Sequence, residues 1–255
     1  MTDARPVKQR VRYADNSGMV DSAASGVTRA TVRTRFSARG LPLPDRLLVW
    51  GLNVALAVVV VQTIGHLVDW LATDLDIVLL NADSDQSIYP WVSVVAIFSG
   101  ALALFLYQQL TGAVGFRRWL PFILAYLSLD EMVALHERIV RVLKALNVDE
   151  SYARVIWPVL YLPLIAATAL ALWRMSPTFV PRAARFIKVG LVFLGTAVAL
   201  EILSKALVDD YPNAYQVEVI VEQNLELAGW TLIGTALVSH VVRNLLRTPL
   251  ADVSA

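Results

Sequence analysis

The chain has 255 residues, of which 57% are hydrophobic and only 17% are charged. A soluble domain usually carries about 25% charged residues, and the apolar residues here gather in long runs, so the composition indicates a polytopic membrane protein. The chain contains no cysteine, which excludes disulfides, thiolate metal sites and cysteine nucleophiles. The net charge of +1 favours no class of partner by itself, and we expect no nucleic-acid partner.

The first 46 residues carry nine lysines and arginines against four aspartates and have no apolar periodicity. They are rich in Ser, Thr, Ala and Gly, which is typical of a disordered basic tail. The expected partners of this tail are the anionic headgroups of membrane lipids. The sequence therefore predicts a cytoplasmic tail over 1–46, a transmembrane domain over 47–243 and a short cytoplasmic tail over 244–255.

Six segments reach the length of about 20 residues that a helix needs to cross a bilayer. The fold class that they predict is all-α, a polytopic membrane bundle of six transmembrane helices. In chain order, the predicted spans cover 47–68, 89–110, 119 to about 139, 155–173, 186–208 and 217–241.

The charges between the predicted spans indicate the side of the membrane on which each loop lies. The loop over 69–88 has five aspartates and neither lysine nor arginine, whereas the second and fourth loops and the C-terminal end are basic. Because basic loops stay in the cytoplasm, we expect both termini there. The third loop is also basic, which disagrees with its predicted outer position, and we attribute its charges to the third helix running beyond the membrane.

Ionisable residues gather at the outer ends of four predicted helices. At 1.5 Å per residue, Asp130 lies about 17 Å along its span and Glu201 about 22 Å along its own, which is the outer half of a core of about 30 Å. The other members of this group are His66, Asp69, Glu131, His136, Glu137, Glu218, Glu222 and Glu226. Since each charge at the bilayer centre costs about 2.5–3.5 kcal/mol on insertion scales, such groups normally face a cavity or a partner.

Helical spacing predicts which of these side chains share a face. Asp130 and Glu137 are seven residues apart and lie together on a continuous helix. Glu218, Glu222 and Glu226 follow each other at intervals of four and form one stripe. Three like charges on one stripe repel each other, so we expect either that some of them are protonated or that a cation holds them.

The first hypothesis is a divalent-metal site, because Fe, Mn and Zn take carboxylate and imidazole ligands and helical bundles hold such sites between facing helices. The candidate ligands are His66, Asp130, His136, Glu201, Glu222 and Glu226. In a catalytic version, the metal activates water, or dioxygen if it is redox-active, and Glu131 or Glu137 acts as the general base on a lipid-like substrate. The sequence has no Glu-x-x-His pair, so the motif of soluble di-iron bundles is missing.

Three other interpretations of the same residues stay open. Acids and histidines in membrane helices also form the proton or cation paths of transporters, although the inner half of this bundle is nearly free of acids. The second interpretation is a non-catalytic scaffold in which basic side chains pair with the acids in a structural network. Its candidates are Arg138, Arg141, Lys144 and Lys205. A b-type haem between His66 and His136 is the third, and the crowd of acids argues against it.

Two segments, LSLDEMVALHERI and VEVIVEQNLELAGWTLIGTAL, together resemble a family of uncharacterised bacterial multi-pass membrane proteins. Those proteins are similar in having a Leu-Asp-Glu…His-Glu helix and a late Glu-rich helix that leads into a glycine. The resemblance covers the third and sixth predicted helices. It implies a location in the bacterial inner membrane and a shared polar site, and it implies no particular activity.

Overall fold

The computed structural model describes residues 40–84, 87–112, 118–148, 150–204 and 211–247, with the side chains of 136–137, 150–158 and 203–204 outside the description. This part of the chain is helical, as predicted. Its helices are α1 (Leu43–Thr73), α2 (Pro90–Thr111), α3 (Leu120–Val133), α4 (Leu135–Ala145), α5 (Glu150–Met175), α6 (Pro181–Ser204) and α7 (Pro212–Arg247), with a 3-10 helix at Ser176–Thr178. Residues 1–39 and 248–255, which include most of both predicted tails, lie outside the described residues.

Five of these helices are long and apolar enough to cross a membrane, namely α1, α2, α5, α6 and α7. Each corresponds to one predicted span. Their outer faces carry many exposed large apolar side chains, such as Val60 on α1, Val95 on α2 and Val192 on α6. Because the helices satisfy their own backbone hydrogen bonds, such faces suit contact with lipid tails.

The third predicted span is divided into two helices. α3 ends at Val133, and Ala134 adopts a left-handed conformation (φ 48°, ψ 53°) before α4 begins. The 14 residues of α3 rise about 21 Å, which is less than the roughly 30 Å of a hydrocarbon core. The prediction of one continuous helix over 119–139 is therefore wrong. The predicted shared face of Asp130 and Glu137 is not tested, because the side chain of Glu137 lies outside the described part of the chain.

Helix α4 is amphipathic and explains the basic charges of the third loop. Leu135, Ile139 and Leu143 follow each other at intervals of four and are half-buried, whereas Arg138 and Arg141 are exposed. A short helix with an apolar face and a basic face is typical of a segment that lies along the membrane surface. These charges therefore belong to an amphipathic helix rather than to a longer third span.

Helix α7 is the centre of the bundle and packs against α1, α2 and α6. A Cβ atom added to Gly234 would clash with the carbonyl oxygen of Ala96 in α2, and one added to Gly229 would lie 3.0 Å from that of Gly190 in α6. Such close approach of backbones at small residues is how membrane helices commonly associate. The apolar core around these crossings includes Leu104, Leu120, Leu172, Ile187, Ile233 and Leu237.

The start of α1 and the end of α7 meet at one end of the bundle, which we call the packed end. Ser239 Oγ donates a hydrogen bond of 2.8 Å to the carbonyl oxygen of Pro44, and Arg243 Nη2 lies 2.9 Å from Asp45 Oδ1. At the opposite end, which we call the polar end, the loop after α1 contacts the start of α7. α3 and α6 also finish at the polar end, where α6 packs against α7 and residues from the end of α3 line the same cavity as residues of α7.

Candidate functional site

A cavity of about 680 Å³ lies at the polar end and is lined by residues of α3 to α7 and of the loop after α1. Its volume is within the range of about 300–1,000 Å³ that is usual for small-molecule sites. Among the described residues, six acidic side chains and one basic side chain line it, namely Asp83, Asp130, Glu131, Glu201, Glu222, Glu226 and Arg141. Much of the remaining wall is apolar and includes Leu127, Leu162, Ile165, Leu191, Leu194, Val198 and Trp230.

Five of the predicted site residues line this cavity. Asp130 and Glu131 come from the last turn of α3, Glu201 from the last turn of α6, and Glu222 and Glu226 from the first half of α7. These three helices finish or begin at the polar end, which is why residues so far apart in sequence come together. His136 and Glu137 belong to α4, but their side chains lie outside the described part of the chain.

Three glutamates, Glu201, Glu218 and Glu222, form a connected group, and Glu201 and Glu222 line the cavity. Glu222 is only 6% exposed, and its carboxyl group is in close contact with those of Glu201 and Glu218. Because an ionised carboxylate only accepts hydrogen bonds, each such contact requires a proton on one of the two groups. A cation placed between the groups is the other way to hold them together.

Two tyrosines that line the cavity hold two aspartates of its wall. Tyr215 Oη donates hydrogen bonds of 3.0 and 2.9 Å to the two carboxylate oxygens of Asp83. Tyr161 Oη donates a bond of 3.1 Å to Asp130 Oδ1, and Tyr126 Oη lies 2.7 Å from Tyr161 Oη. The phenol groups thus fix both aspartates and add aromatic surface to the acidic end of the cavity.

The sequence pattern alone did not single out these tyrosines or Asp83 as site residues. For Tyr215 a signal exists, because it precedes Glu222 by seven residues and therefore lies on the same face of α7. Tyr161 stands in an apolar stretch of α5 with no acidic neighbour in sequence, so its partner is visible only in three dimensions. Asp83 is one of five aspartates in its loop. Its alternation with Asn81 and Asp85 resembles the start of a calcium loop without the required glycine and glutamate, which indicates a solvated loop rather than a site.

His66 lies apart from the carboxylates with which it was expected to bind a metal. It is fully buried, its Nδ1 accepts a hydrogen bond of 2.9 Å from the backbone N–H of Ala82, and its Nε2 lies 3.1 Å from Gln216 Oε1. Since Nδ1 accepts, the proton of the neutral ring is on Nε2, which donates to Gln216. Both ring nitrogens therefore have protein partners and fasten α1 to the loop and to α7.

Across the part of the chain that the structure describes, no group of three or more His, Cys, Asp or Glu side chains is arranged to hold a metal ion. The predicted ligands Asp130, Glu201, Glu222 and Glu226 share a cavity without forming such a set. A metal-dependent site for Fe, Mn or Zn therefore stays a prediction.

The fold and the cavity together define a class: this is a multi-pass helical membrane protein with an acidic cavity at one end of its bundle. The chain belongs to the family described as Domain of unknown function (DUF8692), whose model matches residues 48–241. That range contains every described residue that lines the cavity. No curated protein and no solved structure matches the chain.

Proposed function

We propose that this protein binds a lipid-like molecule in the cavity, within the inner membrane of a bacterium. The observation that carries the proposal is the division of the cavity wall into an acidic part and an apolar part. A molecule with a polar headgroup and an apolar chain satisfies both parts at once, whereas a purely polar or purely apolar molecule leaves one of them without a partner.

The acidic and apolar parts follow each other along the bundle axis. On α6, Leu191 precedes Glu201 by ten residues, which is about 15 Å along the helix towards the packed end. On α7, Trp230 follows Glu222 by eight residues, or about 12 Å in the same direction. The apolar part of the wall thus reaches away from the polar end, which is the arrangement needed to bury an alkyl chain beneath its headgroup.

The distribution of basic residues supports an orientation for the site. Arg182, Arg185 and Lys188 lie at the start of α6, and Arg243 and Arg247 lie at the end of α7. All of these are at the packed end, and basic residues flanking spans favour the cytoplasmic side. We therefore infer that the packed end faces the cytoplasm and that the acidic cavity lies in the outer leaflet.

Photolabelling tests whether an alkyl chain enters the cavity. Membranes are equilibrated with a long-chain amphiphile that carries a diazirine near the end of its chain, and the labelled residues are mapped by mass spectrometry after illumination. We expect labels on cavity-lining residues such as Leu194 and Trp230, in addition to the labels that bulk lipid leaves on outward-facing residues.

A matched pair of variants separates the cavity from bulk lipid. Gly195 lines the cavity, and a Cβ added there would meet no other atom within 4 Å, so Gly195→Trp fills the space without a backbone clash. Val192 is on the same helix but 61% exposed, so Val192→Trp changes only the outer face. The expected result is that Gly195→Trp removes the labels at Leu194 and Trp230 while Val192→Trp keeps them; equal labelling in both would contradict the proposal.

A metal-dependent enzyme is the second candidate function, and the contacts of Glu222 with Glu201 and Glu218 favour it. A divalent cation such as Fe, Mn or Zn can replace the protons that these contacts otherwise require, with Glu131 available at the same cavity as a general base. Elemental analysis of purified wild-type protein beside Glu222→Gln tests this function. One or two equivalents of a metal that are lost in Glu222→Gln would support it, and metal-free wild-type protein after reconstitution attempts would exclude it.

A further inference from the structure

We infer that the molecule held in this cavity is a cationic amphiphile, with an amine or quaternary ammonium headgroup on an apolar chain. The inference rests on the proposed function, because it takes the cavity as a lipid-like binding site and assigns the charge of the headgroup. Its support is the charge and the aromatic residues of the cavity wall at the polar end, together with the apolar part of the cavity beyond them.

The first argument is the sign of the charge at the polar end. Six acidic side chains and one basic side chain line the cavity among the residues that the structure describes. The basic one, Arg141, is exposed on the amphipathic helix α4. A cavity whose wall carries mostly one sign of charge and whose surroundings are apolar focuses the electric field, and it attracts a ligand of the opposite charge.

The second argument is the aromatic surface beside the acids. Tyr161 and Tyr215 line the cavity and donate hydrogen bonds to Asp130 and Asp83, and Trp230 lines the cavity further along α7. Aromatic faces attract organic cations, and aromatic side chains commonly surround quaternary ammonium groups. An anionic headgroup would instead be repelled by the carboxylates at the same place.

The third argument is geometric. A metal ion needs ligands at fixed distances and angles, and the described acids do not form such a set. An ammonium headgroup needs only negative potential and close apolar or aromatic walls. Carboxylates from α3, α6 and α7 that surround one space without forming such a set suit a headgroup of this kind better than a bare ion.

The absence of cysteine makes a direct test available. A single cysteine introduced as Gly195→Cys places a thiol at the cavity wall, and its Cβ meets no atom within 4 Å. The protein is placed in nanodiscs of neutral lipid, and the rate of alkylation by N-ethylmaleimide is measured with octyltrimethylammonium, octyl glucoside or octyl sulfate at equal concentrations.

The expected result is selective protection. Octyltrimethylammonium should slow alkylation about tenfold when it is present at about ten times its Kd, while octyl glucoside and octyl sulfate leave the rate nearly unchanged. Val192→Cys, on the outer face of the same helix, serves as the control for general effects of the amphiphiles on the bilayer. Its rate should be the same with all three.

A second variant tests the origin of the selectivity. Adding Glu226→Gln to Gly195→Cys removes one acid of the cavity and should weaken protection by octyltrimethylammonium about fivefold, the effect of one unit charge at about 4 Å in water. Asp45→Asn removes an acid at the packed end and should leave protection unchanged.

Three outcomes are distinguishable. Selective protection by the ammonium compound supports both the inference and the proposed function. Equal or stronger protection by octyl glucoside or octyl sulfate overturns the cationic headgroup and leaves a lipid-like ligand in place. If none of the three compounds protects Gly195→Cys, both the inference and the proposed function are overturned.

Discussion

The two halves of α7 have the same helical backbone but different surroundings. In the second half, residues 227–247, most residues up to Val241 are buried against α1, α2 and α6, and the small residues bring neighbouring backbones into contact. The first half, residues 212–226, carries Tyr215, Glu218, Glu222 and Glu226 and faces the cavity for much of its length. We call these the packing half and the cavity half.

The difference indicates which half of α7 tolerates substitutions and which half carries the binding site. In the packing half, space is filled by backbone and core atoms, so added volume has no place to go. In the cavity half, acidic groups are gathered around open space, an arrangement that close packing alone would not produce. The following predictions test this contrast, from the largest expected effect to the smallest.

The largest difference in stability is expected between two glycine-to-alanine substitutions, one at a close helix crossing and one at the cavity wall. Gly234→Ala places a Cβ against the carbonyl oxygen of Ala96, so α2 and α7 must separate, and we expect a loss of about 1–3 kcal/mol of folding free energy. Gly195→Ala places its Cβ in open space at the cavity wall and should stabilise α6 by about 0.5–1 kcal/mol, because alanine favours a helix. Thermal unfolding in detergent measures both. Similar changes of stability in the two variants would contradict the contrast between close packing and the open cavity.

A second prediction concerns α1, where it packs beside the cavity half. His66→Ala leaves the N–H of Ala82 and the side chain of Gln216 without their partner, and we expect a loss of about 1–3 kcal/mol. Gln62, one turn earlier, is 1% exposed, and its amide has no hydrogen-bond partner within the described residues. Gln62→Leu should therefore be neutral or stabilising by about 1 kcal/mol. Denaturant unfolding of both variants measures the two effects. A loss of stability in Gln62→Leu as large as that in His66→Ala would contradict this account.

A third prediction addresses the connected glutamates. Glu222→Gln keeps both donor and acceptor groups towards Glu201 and Glu218, so the free energy of unfolding should change by less than about 0.5 kcal/mol. Glu222→Leu removes those partners and should cost about 1–2 kcal/mol. The two variants are compared by thermal unfolding under identical conditions. A large loss in Glu222→Gln would mean that the carboxyl charge itself, and hence a bound cation, holds the group together.

The smallest effect is expected at the packed end. Asp45 and Arg243 form an ion pair of 2.9 Å, with side chains that are 18% and 20% exposed. Asp45→Asn keeps the shape and removes the charge, so it should cost about 0–1 kcal/mol, with less effect at high salt. Unfolding at low and high salt tests this, and a cost well above this range would show that the packed end depends on charge as well as on close packing.

Much of the fold was predictable because length and hydropathy decide which segments can cross a membrane. Five spans follow from that rule, and the meeting of acids from α3, α6 and α7 follows from the alternation of helix direction. The break at Ala134 was not predictable, because an alanine in the left-handed conformation has no local sequence signal, unlike a glycine. The separate position of His66 depends on a backbone N–H and a glutamine from distant segments, so spacing along one helix does not reveal it.

The measurement that tests the central claim most directly is mass spectrometry of the protein released intact from its native membrane. The wild type, Gly195→Trp and Val192→Trp are compared after identical detergent extraction. A retained amphiphile in the wild type and in Val192→Trp that is missing from Gly195→Trp is the predicted result, and its mass identifies the headgroup. The same retained molecules in all three proteins, or none in any of them, would contradict a lipid-like ligand in the cavity.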